Sequence, residues 1–300
     1  MLTRFKNEIP ECTAPYTAPG LKSTQALPEF YQGATADYVK VDGKWVDGMA
    51  QDNMLTALQN LQDAYTAGLI DQEAITNTTS ACRDEWYAGT VGCFPYWGGL
   101  WGETLTVRLK QNVPDAEVIA LPPIEGATYL YSAPSVQVIS SKLSDEQVAS
   151  VYKYFIEYMH DGGEGQVLFQ SGVEGVHWQQ SGNNIDPLPT ISKPAEAFRK
   201  AWITPWLALT PMTATDKNVE VSQEATDSLA VVSANAKNIS VFPVSEQRTM
   251  ITSDLTTTRE NIISRVAMGQ LTPEEGMAEY KAQAETLNVA QALEEMNANA

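Results

Sequence analysis

The stretch that decides the fold is DGGEGQVLFQSGVEGVHW, residues 161–178. It opens with the pair Gly162-Gly163, and paired glycines commonly end or redirect a helix. The apolar residues that follow predict a short helix over about 164–170. After that helix the glycines return, and they place Trp178 at the end of a loop. The stretch therefore predicts a helix that leads into a loop carrying a large aromatic side chain.

On both sides of this stretch the sequence contains strong helix starts. Ser144 followed by Gln147 is a capping-box pattern. The helix that it starts places five apolar residues on one stripe: Val148, Val151, Tyr152, Phe155 and Met159. Near the C-terminus, Thr272-Pro273-Glu274-Glu275 combines an N-cap, a proline at the first position and a glutamate at the third. This pattern predicts a helix to about residue 295.

The first half of the chain mixes strand and helix patterns. Residues 39–46 predict a β-hairpin with Asp42-Gly43 at its turn. Residues 53–67 predict an amphipathic helix that ends at Gly68. Further helices are predicted over 80–88 and 102–111, and further strands over 91–97 and 117–121. Because strands and helices are interspersed, the predicted fold class is α/β.

Composition limits the classes of function. The chain has 300 residues, 43% of them hydrophobic, which is enough for an ordinary core and for two domains. Its 19 basic and 37 acidic residues give a net charge of −18. Such a field repels phosphate backbones and anionic lipid, so nucleic acid is not among the predicted partners. No apolar run has the length of a membrane span, and the first eight residues do not form a signal peptide.

Signatures of enzymatic chemistry are few. The sequence has no G-x-S-x-G, Walker or H-E-x-x-H motif. Glu174 and His177 would supply two metal ligands without a third, so no metal and no cofactor are predicted. Cys12, Cys82 and Cys93 lack zinc spacing, and a Cys82–Cys93 disulfide stays open beside the alternative of two buried thiols. Carboxylates are plentiful, but nothing in the sequence brings two together, so no catalytic residue is predicted.

Aromatic residues carry the most information about a ligand. The run Tyr96-Trp97-Gly98-Gly99-Leu100-Trp101 places three large rings beside two glycines. Flat aromatic faces stack on the apolar C–H faces of sugars, and an indole N–H suits a hydroxylated ligand. The alternative for each tryptophan is packing in a core or hinge. The predicted ligand contacts are Trp97, Trp101 and Trp178, followed by Tyr96, Glu174 and Trp206.

Several of these segments together resemble the extracellular solute-binding proteins of ABC importers. The most specific is residues 161–178, which is similar to the large Gram-positive lipoprotein branch often assigned to oligosaccharide uptake. The others are Asp42-Gly43-Lys44, the helix end AYTAGLID at 64–71, Gly89-Thr90-Val91-Gly92, and residues 279–297.

The resemblance implies a two-lobed, periplasmic-binding-protein-like α/β fold of type 2, with a hinge. Residues 1–127 would form mainly the C-terminal lobe, with a cleft strand near 91–97. Residues 128–185 would belong to the N-terminal lobe, and 186–300 would return to the C-terminal lobe with the terminal helices. The implied function is the capture of an extracellular solute, an oligosaccharide, by lobe closure. The monomeric protein would deliver the solute to ABC permease subunits and would not be an enzyme.

One departure from the family concerns the N-terminal part. Family members usually begin with a lipoprotein signal and a lipidated cysteine, whereas no apolar stretch precedes Cys12. They are also considerably longer. We therefore expect one lobe to be incomplete, and membrane anchoring as a lipoprotein to belong to the full-length form. Two alternatives stay open, a carbohydrate-active enzyme with a carboxylate pair and a truncated remnant that binds no ligand.

Overall fold

The computed structural model describes residues 1–24, 26–127, 129–131, 137–188, 212–238 and 241–300. Its internal contacts divide the chain into two units. Unit 1 comprises Met1–Trp97, Leu105–Ala133 and Ala230–Ala300, and unit 2 comprises Gly98–Thr104 and Pro134–Leu229. The lobe boundaries implied by the resemblance stay a prediction.

Eleven helices and eight strands are present in the described ranges. The helices are α1 Leu2–Glu8, α2 Pro28–Tyr31, α3 Asn53–Thr66, α4 Thr79–Ala88, α5 Leu100–Asn112, α6 Asp145–Val151, α7 Glu164–Ser171, α8 Gln223–Asn235, α9 Glu246–Ala267, α10 Pro273–Thr286 and α11 Val289–Ala298. A 3₁₀ turn spans Gly48–Ala50, and a π-helical segment, Tyr152–Glu157, continues α6. The strands are β1 Ala14–Tyr16, β2 Tyr38–Val41, β3 Lys44–Asp47, β4 Val91–Cys93, β5 Tyr129–Tyr131, β6 Trp178–Ser181, β7 Asn184–Pro187 and β8 Ala236–Asn238.

The described strands pair two by two. β1 is parallel to β4 and β5 is parallel to β8, whereas β2–β3 and β6–β7 are antiparallel hairpins. The predicted turn at Asp42-Gly43 is confirmed, with φ values of 49° and 81°. Two consecutive residues at positive φ are the requirement of a tight hairpin turn that matches strand twist.

The core of unit 1 forms where α3 packs against the C-terminal helices. α3 buries Leu58 and Leu61, while α9 buries Ile262 and Ile263 and α11 buries Met296. Each fully buried side chain of this kind contributes about 1.5–3 kcal/mol of hydrophobic stabilisation. The first quarter of the chain and its last fifty residues therefore share one core.

A buried charged network crosses this core. Arg259 on α9 is only 3% exposed, and its guanidinium donates hydrogen bonds to Asp47 (2.8 Å) and Asp37 (3.0 Å). The Tyr280 hydroxyl on α10 donates to the second oxygen of Asp47 at 2.6 Å. The Tyr38 ring centroid lies 5.1 Å from the guanidinium. Arg259 thus joins the β2–β3 hairpin to α9 and α10.

A second long-range connection joins β3 to the last helix. The Trp45 amide donates to Asn297 Oδ1 at 2.8 Å, and Asn297 Nδ2 donates to the Trp45 carbonyl at 2.9 Å. This reciprocal pair satisfies both backbone groups of a buried strand residue, which would otherwise carry a desolvation cost. α11 is therefore fixed at one position along β3.

In unit 2, one aspartate organises the start of α7. The Asp161 carboxylate accepts the amides of Gly163 (2.7 Å), Gly165 (3.0 Å) and Gln166 (3.0 Å). Burial acts to raise the pKa of Asp161, but these three N–H donors outweigh it and hold the pKa below its usual value. The predicted helix over 164–170 and the Ser144–Gln147 capping box are both confirmed.

Three predicted elements differ from the structure. β4 ends at Cys93 rather than at residue 97, because Pro95 has no N–H for a strand ladder. The strand predicted over 117–121 was wrong: the segment pairs with no described strand. The predicted final helix is divided in two at Asn288, whose φ is 56°, a left-handed conformation that asparagine tolerates better than most residues.

Candidate ligand-binding site

The candidate site lies at the carboxyl ends of two parallel strands in unit 1. β1 and β4 pair through Ala14–Val91 and Tyr16–Cys93, and the Thr17 amide then donates to the Cys93 carbonyl at 3.2 Å. In α/β folds, ligands bind beyond the carboxyl ends of parallel strands. Thr17 and the aromatic run that follows β4 occupy this position.

Three rings form a group here in which Phe94 contacts the other two, and they are called the aromatic group: Trp86, Phe94 and Tyr96. The Phe94 and Tyr96 rings stack with centroids 4.8 Å apart and 28° between planes. Trp86, on α4, lies 6.1 Å from Phe94, and its indole N–H donates to the Leu105 carbonyl at 3.2 Å. Alternate residues of an extended segment share a side, which brings residues 94 and 96 together. The aromatic group therefore has a fixed geometry.

The edge of the aromatic group combines a polar side chain with an exposed indole. Tyr96 is half-buried and hydrogen-bonds Arg83, which also donates to Ser80 Oγ at 2.9 Å. Burial raises the pKa of Tyr96, and Arg83 offsets part of that rise. Trp97 follows directly and is 54% exposed. Chemically, this edge offers an accessible flat ring beside hydrogen-bonding groups.

Two carboxylates lie close together beneath the same strand ends. The Thr17 hydroxyl lies 2.8 Å from Glu85 and 3.2 Å from Asp71. The Asn77 amide donates to Asp71 at 2.6 Å and to Glu85 at 3.1 Å. Burial, and next to it the adjacent Asp71, raise the pKa of Glu85, although hydrogen bonds from Thr17 and Asn77 act against the rise. We call these four residues the carboxylate cluster.

The surroundings of this carboxylate pair do not suit glycoside hydrolysis. The acid pair of a glycosidase must leave space for a sugar and, in inverting enzymes, for a water. Asp71 is buried, and Asn77 and the Glu73 amide occupy its oxygens. Thr17 and Asn77 each hydrogen-bond both carboxylates. Both carboxyl groups therefore serve hydrogen bonds within the protein.

The glycines near Trp101 serve contacts within unit 2. The Gly99 amide donates to Ser228 Oγ at 2.8 Å. A Cβ at Gly102 would stand 3.0 Å from the Glu224 carbonyl oxygen. Trp101 itself is only 8% exposed. The absence of side chains at these glycines thus allows α5 and α8 to approach each other closely.

Trp178 lies in the interior of unit 2. It is 3% exposed, packs with Val167 and Ile185, and donates its indole N–H to the Gly172 carbonyl at 3.0 Å. The indole hydrogen bond therefore joins the last residue of the 172–178 loop to the first.

The remaining predicted contacts fall in different places. Glu174 is exposed on the 172–178 loop, where its neighbour His177 accepts the Val173 amide at 2.9 Å through Nδ1. Trp206 lies outside the described residues. Within the described ranges, no group of three His, Cys, Asp or Glu side chains is placed to hold a metal ion.

The structure thus brings Tyr96 and Trp97 together with residues that the sequence analysis missed: Trp86, Phe94, Arg83 and the carboxylate cluster. The alternation of Phe94 and Tyr96 was the available signal.

Cys82 and Cys93 are both free thiols. Two shallow depressions on unit 1, of about 480 and 350 Å³, are lined by other residues. In the described part of the chain, each helix is too short or too polar to cross a membrane.

Comparison with known proteins identifies the fold. The sequence matches no protein-family model and has no significant match among curated proteins. The structure is similar to the alginate-binding protein AlgQ2, solved without calcium ion, with a TM-score of 0.65 and 16% identity over 99% of this chain and 66% of that one. It is also similar to an HMO-binding, ABC-transporter-associated solute-binding protein from Bifidobacterium longum infantis, with a TM-score of 0.63 and 16% identity over 99% and 67%.

The chain therefore spans about two thirds of the length of these neighbours. The fold class predicted from the sequence is confirmed: the chain is a helix-rich α/β protein with the fold of periplasmic and ABC-transporter solute-binding proteins.

Proposed function

We propose that this chain is the ligand-capturing component of an ABC importer and that its ligand is a saccharide. The observation that carries the proposal is the aromatic group with Trp97, which lies at the carboxyl ends of two parallel strands in a fold shared with carbohydrate-binding neighbours. An exposed indole beside a fixed pair of stacked rings is suited to the apolar face of a sugar ring.

In this proposal, Trp97 supplies the stacking surface and Tyr96 and Arg83 supply hydrogen bonds to sugar hydroxyls. The stacked Phe94 and the anchored Trp86 hold Tyr96 in place, so little side-chain entropy is lost on binding. Glu174, Trp101, Trp178 and Trp206 stay predicted contacts. No covalent step is needed, because the ligand leaves unchanged.

Transport requires binding to be coupled to a change of shape. A ligand that contacts both lobes only in the closed form shifts the population toward closure by its difference in affinity for the two forms. The closed form would then dock on ABC permease subunits outside the cell. We propose that the protein acts as a monomer, and that the longer, full-length form is anchored as a lipoprotein of the Gram-positive branch.

Two alternatives make different predictions. A carbohydrate-active enzyme would convert an oligosaccharide to products and lose that activity in Glu85→Gln, but the burial of Asp71 and the hydrogen bonds on its oxygens argue against this pair. A truncated remnant would bind no saccharide as this chain and would bind one once the missing part of the fold is supplied.

The test is calorimetric titration of the purified chain with neutral oligosaccharides and with uronic-acid oligomers, together with product analysis by chromatography. We expect binding without turnover. Trp97→Ala should weaken binding at least tenfold, about 1.4 kcal/mol. Met250→Ala is the matched control, because Met250 is 64% exposed on α9 and belongs to neither the aromatic group nor its neighbours.

Three results would contradict the proposal. Release of products would establish the enzyme. If the Trp97 and Met250 variants bound saccharide with equal affinity, the aromatic group would be excluded as part of the binding site. Failure of every saccharide to bind either this chain or its upstream-extended form would remove saccharides as the ligand class.

A further inference from the structure

Two arginines lie beside a tyrosine at the edge of the aromatic group. Arg83 and Tyr87 are four residues apart on α4, which places their side chains on one face of that helix. Arg108, on α5, has its guanidinium carbon 5.5 Å from the centroid of the Tyr87 ring. Arg83 also hydrogen-bonds Tyr96. The three residues Arg83, Tyr87 and Arg108 are called here the arginine edge.

The two guanidinium groups act on the same phenol. Burial raises the pKa of Tyr87, and the charges of Arg83 and Arg108 act against that rise. Tyr96 acts on Tyr87 as well, so the two phenols and the two guanidinium groups are neighbours. Asp84, a carboxylate that also acts on Tyr87, is exposed and has a smaller effect than either arginine. The arginine edge is therefore locally positive, although the chain carries a net charge of −18.

An aromatic ring, and no carboxylate of the described residues, holds the guanidinium of Arg108. Other arginines of the chain, Arg4, Arg259 and Arg265, each form an ion pair with a carboxylate at 2.6–3.0 Å. A guanidinium that lies over a ring keeps the N–H groups in its plane directed outward, where they match the two oxygens of a carboxylate. Arg108 therefore keeps donors for a carboxylate that comes from outside the protein.

The carboxylate cluster lies on a different side of α4. Glu85 is two residues from both Arg83 and Tyr87, which is about 200° around the helix from each. Its oxygens lie 2.8 Å from the Thr17 hydroxyl and 3.1 Å from the Asn77 amide nitrogen. More distant charges are screened beyond about 8–10 Å at physiological ionic strength. The arginines, and not the net charge of the chain, therefore govern a charged ligand at this edge.

Tyr96 connects the arginine edge to the proposed stacking surface. Its side chain hydrogen-bonds Arg83, and the next residue is the exposed Trp97. A uronic acid unit combines an apolar ring face, which suits an indole, with a carboxylate, which suits an arginine. The site thus offers both kinds of contact that an acidic sugar requires.

We propose that the saccharide captured at the aromatic group is acidic, and that Arg108, together with Arg83, binds the carboxylates of its uronic acid units. Tyr87 is a positioning residue, because it acts on the ligand through Arg108. The inference rests on the proposed function and deepens it by naming the class of saccharide.

The experiment compares trigalacturonate with its fully methyl-esterified form, which keeps the sugar rings and removes the charge. Both are titrated calorimetrically into the full chain. The acid should bind at least about tenfold more tightly than the ester, as expected for charge-assisted hydrogen bonds. Raising NaCl from about 0.05 to 0.5 M should weaken binding of the acid and leave that of the ester unchanged.

Variants on α5 assign the selectivity to Arg108. In Arg108→Gln the ratio of the acid and ester affinities should fall to about twofold or less, with the circular dichroism of the parent chain retained. Arg108→Lys keeps the charge but not the planar fork, so its ratio should be intermediate. Lys110→Gln is the matched control: it removes the same charge from an exposed residue of the same helix and should leave the ratio unchanged.

The possible failures separate the two proposals. Equal affinities for acid and ester, or binding of neutral oligosaccharides alone, would overturn the inference and leave the capture of a saccharide intact. The same ratio in Arg108→Gln and Lys110→Gln would exclude Arg108 as the carboxylate-binding residue. Trp97→Ala should weaken the binding of acid and ester by the same factor, since stacking does not depend on charge. If no saccharide of either kind binds, both proposals are wrong.

Discussion

Replacing Arg259 by methionine tests the reasoning about the buried network of unit 1. The change retains most of the side-chain volume but removes the charge that faces Asp47. The Asp47 side chain is 7% exposed, so it would keep a buried carboxylate whose one remaining side-chain donor among the described residues is the Tyr280 hydroxyl. Breaking a buried ion pair on one side costs about 3–5 kcal/mol. This is a large part of the roughly 5–15 kcal/mol by which domains are stable.

The assay is urea unfolding followed by tryptophan fluorescence, with the fitted slope compared between variants. Asp37→Asn is the control, because Asp37 is 61% exposed and its pairing with Arg259 is worth about 1 kcal/mol or less. Arg259→Met/Asp47→Leu should recover most of the lost stability, since it removes both charges. Equal losses of unfolding free energy in Arg259→Met and Asp37→Asn would refute the conclusion that Arg259 and Asp47 form a desolvated ion pair. So would a double variant that is less stable than Arg259→Met.

Three further predictions concern other sites. The folded protein holds the pKa of Glu85 above its ordinary 4.5. The protonated side chain therefore contributes stability below the unfolded-state pKa, and this contribution is lost as pH rises through the folded-state pKa. Glu85→Gln should reduce the resulting fall in melting temperature in thermal scans from pH 4 to 7. Asp161→Ala removes the acceptor for three amides at the start of α7 and should cost about 1 kcal/mol in urea unfolding, within the usual range for a lost N-cap, and no loss would contradict the capping role. Gly48→Ala should cost about 1–3 kcal/mol by overpacking, because a Cβ there would collide with the carbonyl oxygens of Thr35 and Asp37. Gly43→Ala is the comparison: its Cβ would meet no atom within 4 Å but would stand at a φ of 81°, so its cost reports positive φ alone.

Local signals predicted the local elements. The Asp42-Gly43 turn and the Ser144–Gln147 capping box were found because neighbouring residues alone satisfy their geometry. The segment 117–121 has the composition of a strand, but a strand needs a partner, and the sequence does not reveal one. At Asn288, a single residue in left-handed conformation divided a continuous helical pattern into two helices.

The candidate site was predictable only in part. Trp97 is exposed and Trp101 is buried although only three residues separate them, because their surroundings come from distant segments. Trp86 and Phe94 contact each other only after α4 and β4 have packed.

The Asn297–Trp45 pair has a consequence for how the chain is made. It links positions 252 residues apart, and α11 completes a core begun by α3. A nascent chain from which α11 has not yet emerged therefore lacks part of the core of unit 1. Nascent chains stalled before residue 289 should remain more protease-sensitive in unit 1 than chains that include α11.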